Sequence, residues 1–412
     1  MKKYFIALLM ITLLLPFFVV AQIFTPLAST VNQSLLGIHF TDNDTGYACG
    51  DGGVIIKTTD AGNSWSTLVS GTTANLWDIK TIPGSEGQKV IVTGDNNTIK
   101  KSYDGGITWQ SQSIPFQAGS FVFGIQCLDS LNYFACGGDF ATFSGAVLKT
   151  TNGGISWTKT PVASSIFLDK IMFASSSVAY SVGTNTSFAD GSIQKSTDGG
   201  ATWSLVKSSP NTITHLWCIN PSTVIAIGLA GQIWRTTDGG TTWNDHSFNT
   251  KDLFAIQFID SLNGFACGGD ANNIILRTIN GGISWSQINY NFNGRFLSIY
   301  ISPLSIYVSG DNGHIAKSAI PTDVTSIEEN SRNYSVSLYP NPASTRLHIN
   351  GKELRYPACL QLFNTSGILA EQASIDNGYK SIDITKLLPG LYFYKISLFT
   401  GEMIQTGKII IQ

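Results

Sequence analysis

The side chains most able to do chemistry belong to an eight-residue pattern that occurs six times. The pattern reads (S/T)-x-(D/N)-(G/A)-G-x-(S/T)-W, and its third position carries a carboxylate or a carboxamide. Such a group could act as a general acid or base, or it could accept backbone N–H bonds across a turn. The acceptor and tryptophan pairs are Asp60 and Trp65, Asp104 and Trp109, Asn152 and Trp157, Asp198 and Trp203, Asp238 and Trp243, and Asn280 and Trp285. Because Asn152 and Asn280 keep the carbonyl oxygen but carry no exchangeable acid proton, the pattern predicts a structural turn.

Charge and histidine spacing argue against several other chemistries. Asp, Glu, Lys and Arg make up 13% of the 412 residues, against a usual share of about 25%, and the formal net charge is −2. The sequence has no basic stripe of the kind that holds nucleic acid. Its five histidines are scattered, without the spacing of a zinc site. We therefore predict no nucleic-acid partner, no metal and no cofactor.

The elements that must position the six patterns repeat with them. The six tryptophans lie 44, 48, 46, 40 and 42 residues apart. Each interval contains four short alternating apolar runs, separated by Gly, Asn, Asp and Ser turns, and these runs predict four strands. A four-stranded unit of this length is typical of a propeller blade. We label the strands a to d in chain order, with a innermost and the pattern at the c–d turn.

A seventh unit lacks the pattern and one strand. The glycine that ends strand b recurs seven times, at Gly50, Gly94, Gly137, Gly183, Gly228, Gly268 and Gly310. Phe24 lies 14 residues before Ile38, just as Trp65 lies 14 residues before Ile79. The mature N-terminus is therefore expected to supply strand d of the last blade, which removes two open sheet edges. The prediction is an all-β fold, with a seven-bladed β-propeller over 22–322 closed by the N-terminal strand.

The repeated pattern resembles the Asp-box, or bacterial neuraminidase repeat, of sialidases, sortilins, xyloglucanases and photosystem II assembly-factor-like propellers. A sialidase-like activity would imply three arginines that grip a substrate carboxylate. The propeller contains only Arg235, Arg277 and Arg295, and the first two hold a position that is lysine in other blades. A non-enzymatic binding module, nearest in repeat style to the photosystem II assembly and stability factors, is therefore favoured. The alternative is a glycan-active hydrolase, sialidase-like or another glycoside hydrolase; no catalytic residue is predicted.

A basic residue stands just before the pattern, or before its expected place, in every unit. These residues are Lys57, Lys101, Lys149, Lys195, Arg235, Arg277 and Lys317. A ring of seven cations could attract an anion. Alternatively, each aliphatic stem packs along the sheet while its charged head reaches water near the turn. Because the residue recurs in every blade, we expect the second arrangement.

The units differ most in the loop between strands b and c. From the strand-b glycine to the basic residue the distance is seven in units one, two, five and seven, nine in unit six, and twelve in units three and four. In a propeller the b–c and d–a loops share one face, and loops on a rigid scaffold often carry recognition. We predict that this face binds an unknown protein or glycan through Asp139, Phe140, Phe143, Phe188 and Asp190. Drift in tolerated surface loops would give the same lengths.

Two further segments flank the propeller. Lys2 and Lys3 precede an apolar run that ends at Ala21, which predicts a signal peptide over 1–21. No later stretch approaches 18 apolar residues, so no transmembrane segment is expected in the mature chain. Residues 323–333 have no clear period and predict a linker. The short strands of 334–412 predict a small immunoglobulin-like β-sandwich.

The motifs of this last region resemble the type A sorting domain of the type IX secretion system of Bacteroidetes. They are L-Y-P-N-P-A at 338–343, L-F-N-T-S-G at 362–367 and I-D-I-T-K-L-L-P-G-L-Y-F-Y-K-I at 382–396. The positions that carry the resemblance are Tyr339, Pro340, Asn341, Pro342, Gly390, Tyr392 and Lys395. The resemblance implies that the type IX secretion machinery is a partner of 334–412. It also implies passage through the periplasm to the medium or the outer-membrane surface.

Overall fold

The computed structural model describes residues 24–139, 142–162, 165–185, 190–321, 336–350, 358–364, 369–375, 379–398 and 403–412. The predicted signal peptide and the predicted linker lie outside these residues. The described residues form 35 strands and include three short 3-10 turns, at Asp51–Gly53, Leu229–Gly231 and Asp311–Gly313. The first 28 strands form seven four-stranded antiparallel sheets, which are the blades of a propeller.

The strands of the first four blades follow one another in chain order. Blade 1 contains β2 (Leu35–Phe40), β3 (Gly46–Gly50), β4 (Ile55–Thr58) and β5 (Ser66–Leu68). Blade 2 contains β6 (Leu76–Thr81), β7 (Val90–Gly94), β8 (Thr98–Ser102) and β9 (Gln110–Ser111). Blade 3 contains β10 (Phe121–Cys127), β11 (Tyr133–Asp139), β12 (Ser144–Thr150) and β13 (Thr158–Val162). Blade 4 contains β14 (Ser165–Phe173), β15 (Ala179–Asn185), β16 (Gly191–Ser196) and β17 (Ser204–Ser209).

The remaining blades keep the same order except at the end of the ring. Blade 5 contains β18 (Ile213–Cys218), β19 (Val224–Gly228), β20 (Ile233–Thr236) and β21 (Asn244–Asp245). Blade 6 contains β22 (Leu253–Phe258), β23 (Gly264–Gly269), β24 (Asn273–Thr278) and β25 (Ser286–Ile288). Blade 7 contains β26 (Phe296–Ile301), β27 (Ser305–Gly310) and β28 (Ile315–Ala319), and its fourth strand is β1 (Thr25–Leu27).

The N-terminal strand joins the two ends of the ring. Strand β1 pairs antiparallel with β28, with Thr25 opposite Lys317 and Leu27 opposite Ile315. Phe24 is buried and packs edge-on against Tyr290, with 6.2 Å between the ring centroids. The seventh sheet thereby gains the strand that the 14-residue spacing assigns to it.

Neighbouring blades are held together by apolar side chains of strand a. One buried aliphatic residue recurs at the same place in each blade: Ile38, Ile79, Ile125, Ile171, Leu216, Ile256 and Ile299. Ile38 packs against Tyr307 and Ile315 of blade 7, and Ile79 packs against the b strand of blade 1. Full burial of such a side chain stabilises the fold by about 1.5–3 kcal/mol. The same contacts arrange the seven a strands around a central channel.

Each strand a also contains a β-bulge at the same place. The bulged residues are Leu36, Trp77, Phe123, Asp169, Thr214, Phe254 and Leu297. A bulge leaves one residue without a ladder partner and changes the direction of its side chain. The bulges lie near the start of strand a, and therefore at the end of the channel that the b–c and d–a loops surround.

The c–d turns are built by the same contacts in each box. In blade 1 the Thr58 hydroxyl donates to Asp60 Oδ1 at 2.8 Å and accepts the Gly62 N–H at 2.9 Å. Asp60 accepts the Ser64 N–H at 2.9 Å and the Ser64 hydroxyl at 2.6 Å. In blade 3 the amide oxygen of Asn152 accepts a backbone N–H at 3.0 Å in the same way. A carboxamide therefore builds this turn as a carboxylate does.

The box tryptophans contribute their rings more than their N–H groups. Trp65, Trp157 and Trp285 are buried. Trp109 Nε1 donates to the Gly106 carbonyl at 2.9 Å, and Trp203 Nε1 makes the same bond within its own box at 3.2 Å. The other four indole N–H groups are buried without a hydrogen-bond partner: those of Trp65, Trp157, Trp243 and Trp285. The recurring tryptophan therefore acts mainly by filling space between blades.

The repeated basic residues connect each blade to the next one. The bonds run from Lys57 to the Gly105 carbonyl (3.0 Å), Lys101 to Gly153 (2.8 Å), Lys149 to Gly199 (3.3 Å), Lys195 to Gly239 (2.6 Å), Arg235 to Gly281 (2.8 Å) and Lys317 to Ala61 (3.1 Å). The sequence analysis did not predict these bonds. Lys101 is buried, whereas the other five residues are partly exposed. The accepting residue has a positive φ in its turn, as at Gly105 and Ala61, and its carbonyl meets the cation of the neighbouring blade.

The C-terminal strands form two sheets of an immunoglobulin-like sandwich. One sheet contains β29 (Ser337–Tyr339), β30 (Arg346–Asn350) and β33 (Tyr379–Asp383). The other contains β32 (Leu369–Ile375), β31 (Ala358–Phe363), β34 (Gly390–Leu398) and β35 (Met403–Ile411). Buried Leu347 and Ile349 of the first sheet share a core with Leu360, Leu362 and Ile396 of the second. The alternation of apolar and polar residues in these strands places one face of each sheet in that core.

Candidate functional site

The predicted binding residues lie where blades 3 and 4 turn from strand b to strand c. Phe143 is 52% exposed and has a positive φ of 47°, a conformation that bulky residues seldom adopt. Asp190 is partly exposed, and its carbonyl accepts the Asn185 N–H at 2.8 Å. Phe140 and Phe188 lie outside the described residues.

Asp139 differs from the surface residue that the sequence predicted. It is the last residue of β11 and is 1% exposed, so its carboxylate is turned away from solvent. Lys159 of β13 binds Asp139 Oδ2 at 2.8 Å. The prediction failed here because strand b continues further in blade 3 than the loop length suggested.

A cluster of four aromatic rings lies beside these loops, at the mouth of the channel. Phe123 is 5.3 Å from Trp77, 5.5 Å from Phe121 and 6.1 Å from Phe167, measured between ring centroids. Phe121 is paired with Gly138, and Phe167 with Thr184, which are the residues that lead into the two long b–c loops. All four rings are partly exposed. We call Trp77, Phe121, Phe123 and Phe167 the aromatic mouth.

The aromatic mouth was missed at the sequence level, although a signal for it exists. Trp77 and Phe123 occupy the bulge position, which holds Leu36, Asp169 and Thr214 in other blades. A position that is scaffold would keep one residue type, as the boxes do. The variation could have indicated a surface with its own function, but the bulge that directs the side chains is visible only in the pairing.

Further along the channel, Asp78 is the centre of a buried ionic cluster. Its Oδ1 is 2.8 Å from Lys80 Nζ, and its Oδ2 is 2.6 Å from Lys170 Nζ. The backbone N–H of Ile125 donates to Oδ2 at 3.2 Å. Asp78 belongs to blade 2 and Lys170 to blade 4, and Gly124 of the blade between them has no side chain to separate the pair. Two ammonium groups therefore share one carboxylate.

Burial and these charges move the pKa values in the channel. Burial alone would raise the pKa of Asp78, but Lys170 and Lys80 outweigh it and hold that pKa well below its usual range. Burial, helped by Lys80, lowers the pKa of His39 to about 3. Burial also lowers the pKa of His215, which belongs to blade 5. Both imidazoles are therefore neutral at physiological pH.

Asp169 is the bulged residue of blade 4 and differs from Asp78 in its surroundings. Its Oδ2 is buried and has no hydrogen-bond partner. Burial raises the pKa of Asp169 to about 7. It is therefore the channel carboxyl most able to exchange a proton near neutral pH.

The structure describes all seven predicted sorting positions. Asn341, between Pro340 and Pro342, accepts the Ile410 N–H at 3.0 Å and donates to the Lys408 carbonyl at 3.2 Å. Tyr339 stacks on His348, with 5.5 Å between the rings. Gly390 begins β34, in which Tyr392 and Lys395 follow. The Tyr392 hydroxyl donates to the Leu388 carbonyl at 3.0 Å, which is a local contact at the start of β34. The Asn341 bonds tie the segment after β29 to the last strand of the sandwich.

Three further observations limit the chemistry of the chain. Among the described residues, no group of three or more His, Cys, Asp or Glu side chains is placed to hold a metal ion. Within the same ranges, no helix has the length and apolar character needed to cross a membrane. All six cysteines are free thiols, and Cys49, Cys136 and Cys267 are buried.

Two families match separate parts of the chain. Residues 337–412 match the secretion system C-terminal sorting domain, and residues 20–166 match the photosynthesis system II assembly factor YCF48. No curated protein sequence matches the chain significantly. The predicted resemblance is therefore confirmed at both ends. The chain carries a sorting domain that directs type IX export to the cell surface or the medium.

Solved structures are similar to the propeller at low sequence identity. YCF48 bound to a D1 peptide is 15% identical, with a TM-score of 0.58 over 72% of this chain and 95% of that one. YCF48 from Cyanidioschyzon merolae is 16% identical, with a TM-score of 0.58 over 72% and 98%. A xyloglucanase from Xanthomonas campestris is 12% identical, with a TM-score of 0.53 over 80% and 59%. At these identities the likeness shows the fold alone, and the predicted seven-bladed propeller is confirmed.

Proposed function

Because an exported chain carries a propeller similar in fold to YCF48, we propose that it is a non-enzymatic binding module of the cell surface or medium. The propeller occupies 22–322, and a linker over 323–333 separates it from the sorting domain at 334–412. In this division the sorting domain engages the type IX secretion machinery, and the propeller binds the partner. Truncation after Asn333 should leave the propeller in the periplasm. Continued appearance of the truncated chain in the medium would contradict the division.

The aromatic mouth is the single observation that carries the binding proposal. Partly exposed aromatic rings that cluster on a rigid scaffold are typical anchors of protein interfaces. The mouth adjoins the two longest b–c loops, where Phe143 is exposed and Asp190 partly exposed. Asp139 supports this surface from below through Lys159 and does not contact the partner. Phe140 and Phe188 extend the surface in the proposal.

A polypeptide partner fits the geometry of the mouth. Three of the four ring contacts are edge to face, at interplanar angles of 68°, 81° and 87°, and the fourth, between Phe121 and Phe123, is stacked at 7°. Edge-to-face contacts leave gaps between rings that an apolar side chain can fill. A YCF48 propeller in complex with a peptide gives a precedent at the level of fold. The proposed partner is therefore a peptide segment with an apolar or aromatic side chain.

Panning a random peptide library on the mature chain tests this proposal. Enriched peptides should carry an aromatic or large aliphatic residue. Phe123→Ala should weaken their binding about tenfold or more, which is the effect expected when an interface anchor is removed. Tyr103→Ala is the matched control, because Tyr103 is an exposed aromatic residue on the box face. Equal loss in the control, or enrichment on a glycan array in place of the peptide library, would contradict a peptide partner.

The hydrolase alternative has one candidate group in the channel. Asp169 has the raised pKa of a general acid, but Asp78 is held by two lysines and a backbone N–H and offers no free carboxylate beside it. Glycoside hydrolysis normally uses a pair of carboxyl groups. Turnover of an aryl glycoside that Asp169→Asn abolishes would favour the hydrolase. We expect no turnover from either protein.

A further inference from the structure

A second site lies at the opposite end of the channel from the aromatic mouth. A cavity of about 280 Å³ opens there among the ends of the a strands. Its wall includes His39, Lys80, Gln126 and Tyr300, together with Phe40 and Pro83. Drug-sized ligands occupy roughly 300–1,000 Å³, so this cavity fits a smaller molecule.

Four of the polar residues of the wall come from one repeated position in four consecutive blades. Tyr300, His39, Lys80 and Gln126 lie opposite Tyr307, Tyr47, Ile91 and Phe134 in the strand pairing of blades 7, 1, 2 and 3. The equivalent residues in blades 4, 5 and 6 are Met172, Trp217 and Gln257. A purely structural position in a repeat keeps one residue type, as the box acceptor and the basic residue do. This position differs between adjacent blades, and the fold brings four different polar groups to one cavity.

The wall is rich in hydrogen-bond donors and lacks an acid. None of the described residues that line the cavity is Asp or Glu. Lys80 carries three N–H donors, and its contact with Asp78 uses one of them. Burial, together with the negative charge of nearby Asp42, raises the pKa of Tyr300, so its phenol keeps the proton and can donate. The Gln126 amide oxygen already accepts the Phe173 N–H at 2.7 Å, which leaves its NH₂ group as the donor.

The charges of the ionic cluster next to the cavity do not cancel. Lys80 and Lys170 share the single carboxylate of Asp78, so the three groups carry one excess positive charge. His39 is neutral and binds Thr81 through Nε2 at 3.0 Å. One negative charge beside Lys80 would balance these three groups. Asp42 is a further carboxylate, whose charge acts on Tyr300. Confinement in the channel strengthens that attraction relative to water.

We propose that this cavity binds a small organic carboxylate, whose oxygens contact Lys80 and Tyr300 and whose body packs on Pro83. A single carboxylate matches the single excess charge, and the apolar wall favours an organic anion over an inorganic one. His39, fixed by Thr81 and edge-on to the Tyr300 ring at 4.9 Å, orients the phenol. The site lies on the box face, so the inference is independent of a partner at the aromatic mouth.

Calorimetric titration of the full chain with benzoate, glucuronate and inorganic phosphate tests this site. Benzoate or glucuronate should bind more tightly than phosphate. Lys80→Met should weaken that binding about tenfold or more, because it removes a charge-assisted hydrogen bond and keeps the aliphatic stem. Tyr300→Phe should weaken it several-fold while retaining the ring. Lys251→Met and Tyr103→Phe, which alter exposed residues away from the cavity, should leave the affinity unchanged.

Three results would overturn the proposal. One is the absence of binding by both carboxylates to the folded wild-type chain. Another is phosphate binding that equals carboxylate binding. The third is a carboxylate affinity that Lys80→Met leaves unchanged. Thermal unfolding of each variant separates loss of the site from loss of the fold, and Tyr300→Phe supplies a second readout if Lys80→Met unfolds. Peptide binding at the aromatic mouth is measured separately, so either proposal can fail alone.

Discussion

The c–d turns and the a strands belong to the same seven blades but vary in opposite ways. In the turns, six boxes repeat the hydroxyl, the acceptor, the glycine and the tryptophan, and six basic residues bind the next turn. In the a strands, the bulge and the position three residues later change side chain from blade to blade. In a repeat protein, this contrast indicates which positions can carry function. Contacts that recur build the ring, and positions that the ring leaves free can acquire chemistry.

The largest expected contrast is between two tryptophans, one from each region. Trp65 is a buried box residue, whereas Trp77 is a partly exposed residue of the aromatic mouth. Trp65→Ala should lower the free energy of unfolding by about 3–5 kcal/mol, because it leaves a cavity between blades. Trp77→Ala should cost clearly less stability and weaken peptide binding. Chemical denaturation of both variants measures the two losses in the free energy of unfolding. Equal losses would contradict the assignment of Trp65 to the scaffold and Trp77 to a binding surface.

The ionic cluster of the channel should give the next largest effect, with a characteristic pH dependence. Asp78→Asn removes the buried carboxylate that Lys80 and Lys170 share. Breaking a fully buried pair costs about 3–5 kcal/mol, and the partial exposure of both lysines places this loss at or below the lower end of that range. The pKa of Asp78 is depressed in the folded state, so its contribution is present above the unfolded pKa near 3.8 and is lost as pH falls below that value. The free energy of unfolding of the wild type should therefore fall in that acid range. Asp78→Asn should lack this part of the acid sensitivity, and an unchanged profile would contradict the assignment.

A single link between blades should have the smallest effect of the three. Lys195→Met removes one bond to the Gly239 carbonyl but keeps the stem, which packs beside Tyr180. A partly exposed charge-assisted bond of this kind contributes about 1–2 kcal/mol. Lys251→Met is the control, because Lys251 lies near the opposite face and makes only a long contact of 3.5 Å. If Lys195→Met weakened peptide or carboxylate binding without lowering stability, the repeated basic residues would have a role in binding.

Much of the propeller could be predicted because its determinants are local and repeated. The box places its acceptor, glycines and tryptophan within eight residues, so six copies reveal the turn and the period. The position of Phe24 relative to Ile38 could be read from the same period, and the pairing of β1 with β28 follows from it. The sorting motifs were equally readable, since Asn341 and Tyr392 fulfil local backbone contacts within one small sandwich.

The candidate sites were less predictable because they depend on residues far apart in the chain. Asp139 was expected at the surface from its loop length, but strand b continues to it and Lys159 buries its carboxylate. The aromatic mouth joins Trp77 to Phe123 and Phe167, and the carboxylate cavity joins His39 to Tyr300 across most of the chain. Variation between repeats marks the positions of these residues, but no local sequence pattern shows which of them meet in space.

The sequence alone determined the architecture and the destination of this protein. Alternating strands, positive-φ glycines and a C-terminal sorting motif each depend on a few neighbouring residues, so they can be recognised from the sequence. Tertiary structure alone decided which side chains face the channel and which face solvent. A one-residue bulge in each a strand changes that orientation, and closure of the ring sets which blades are neighbours. Both the bulges and the closure of the ring depend on pairing between distant residues, and the chemistry of the channel depends on both.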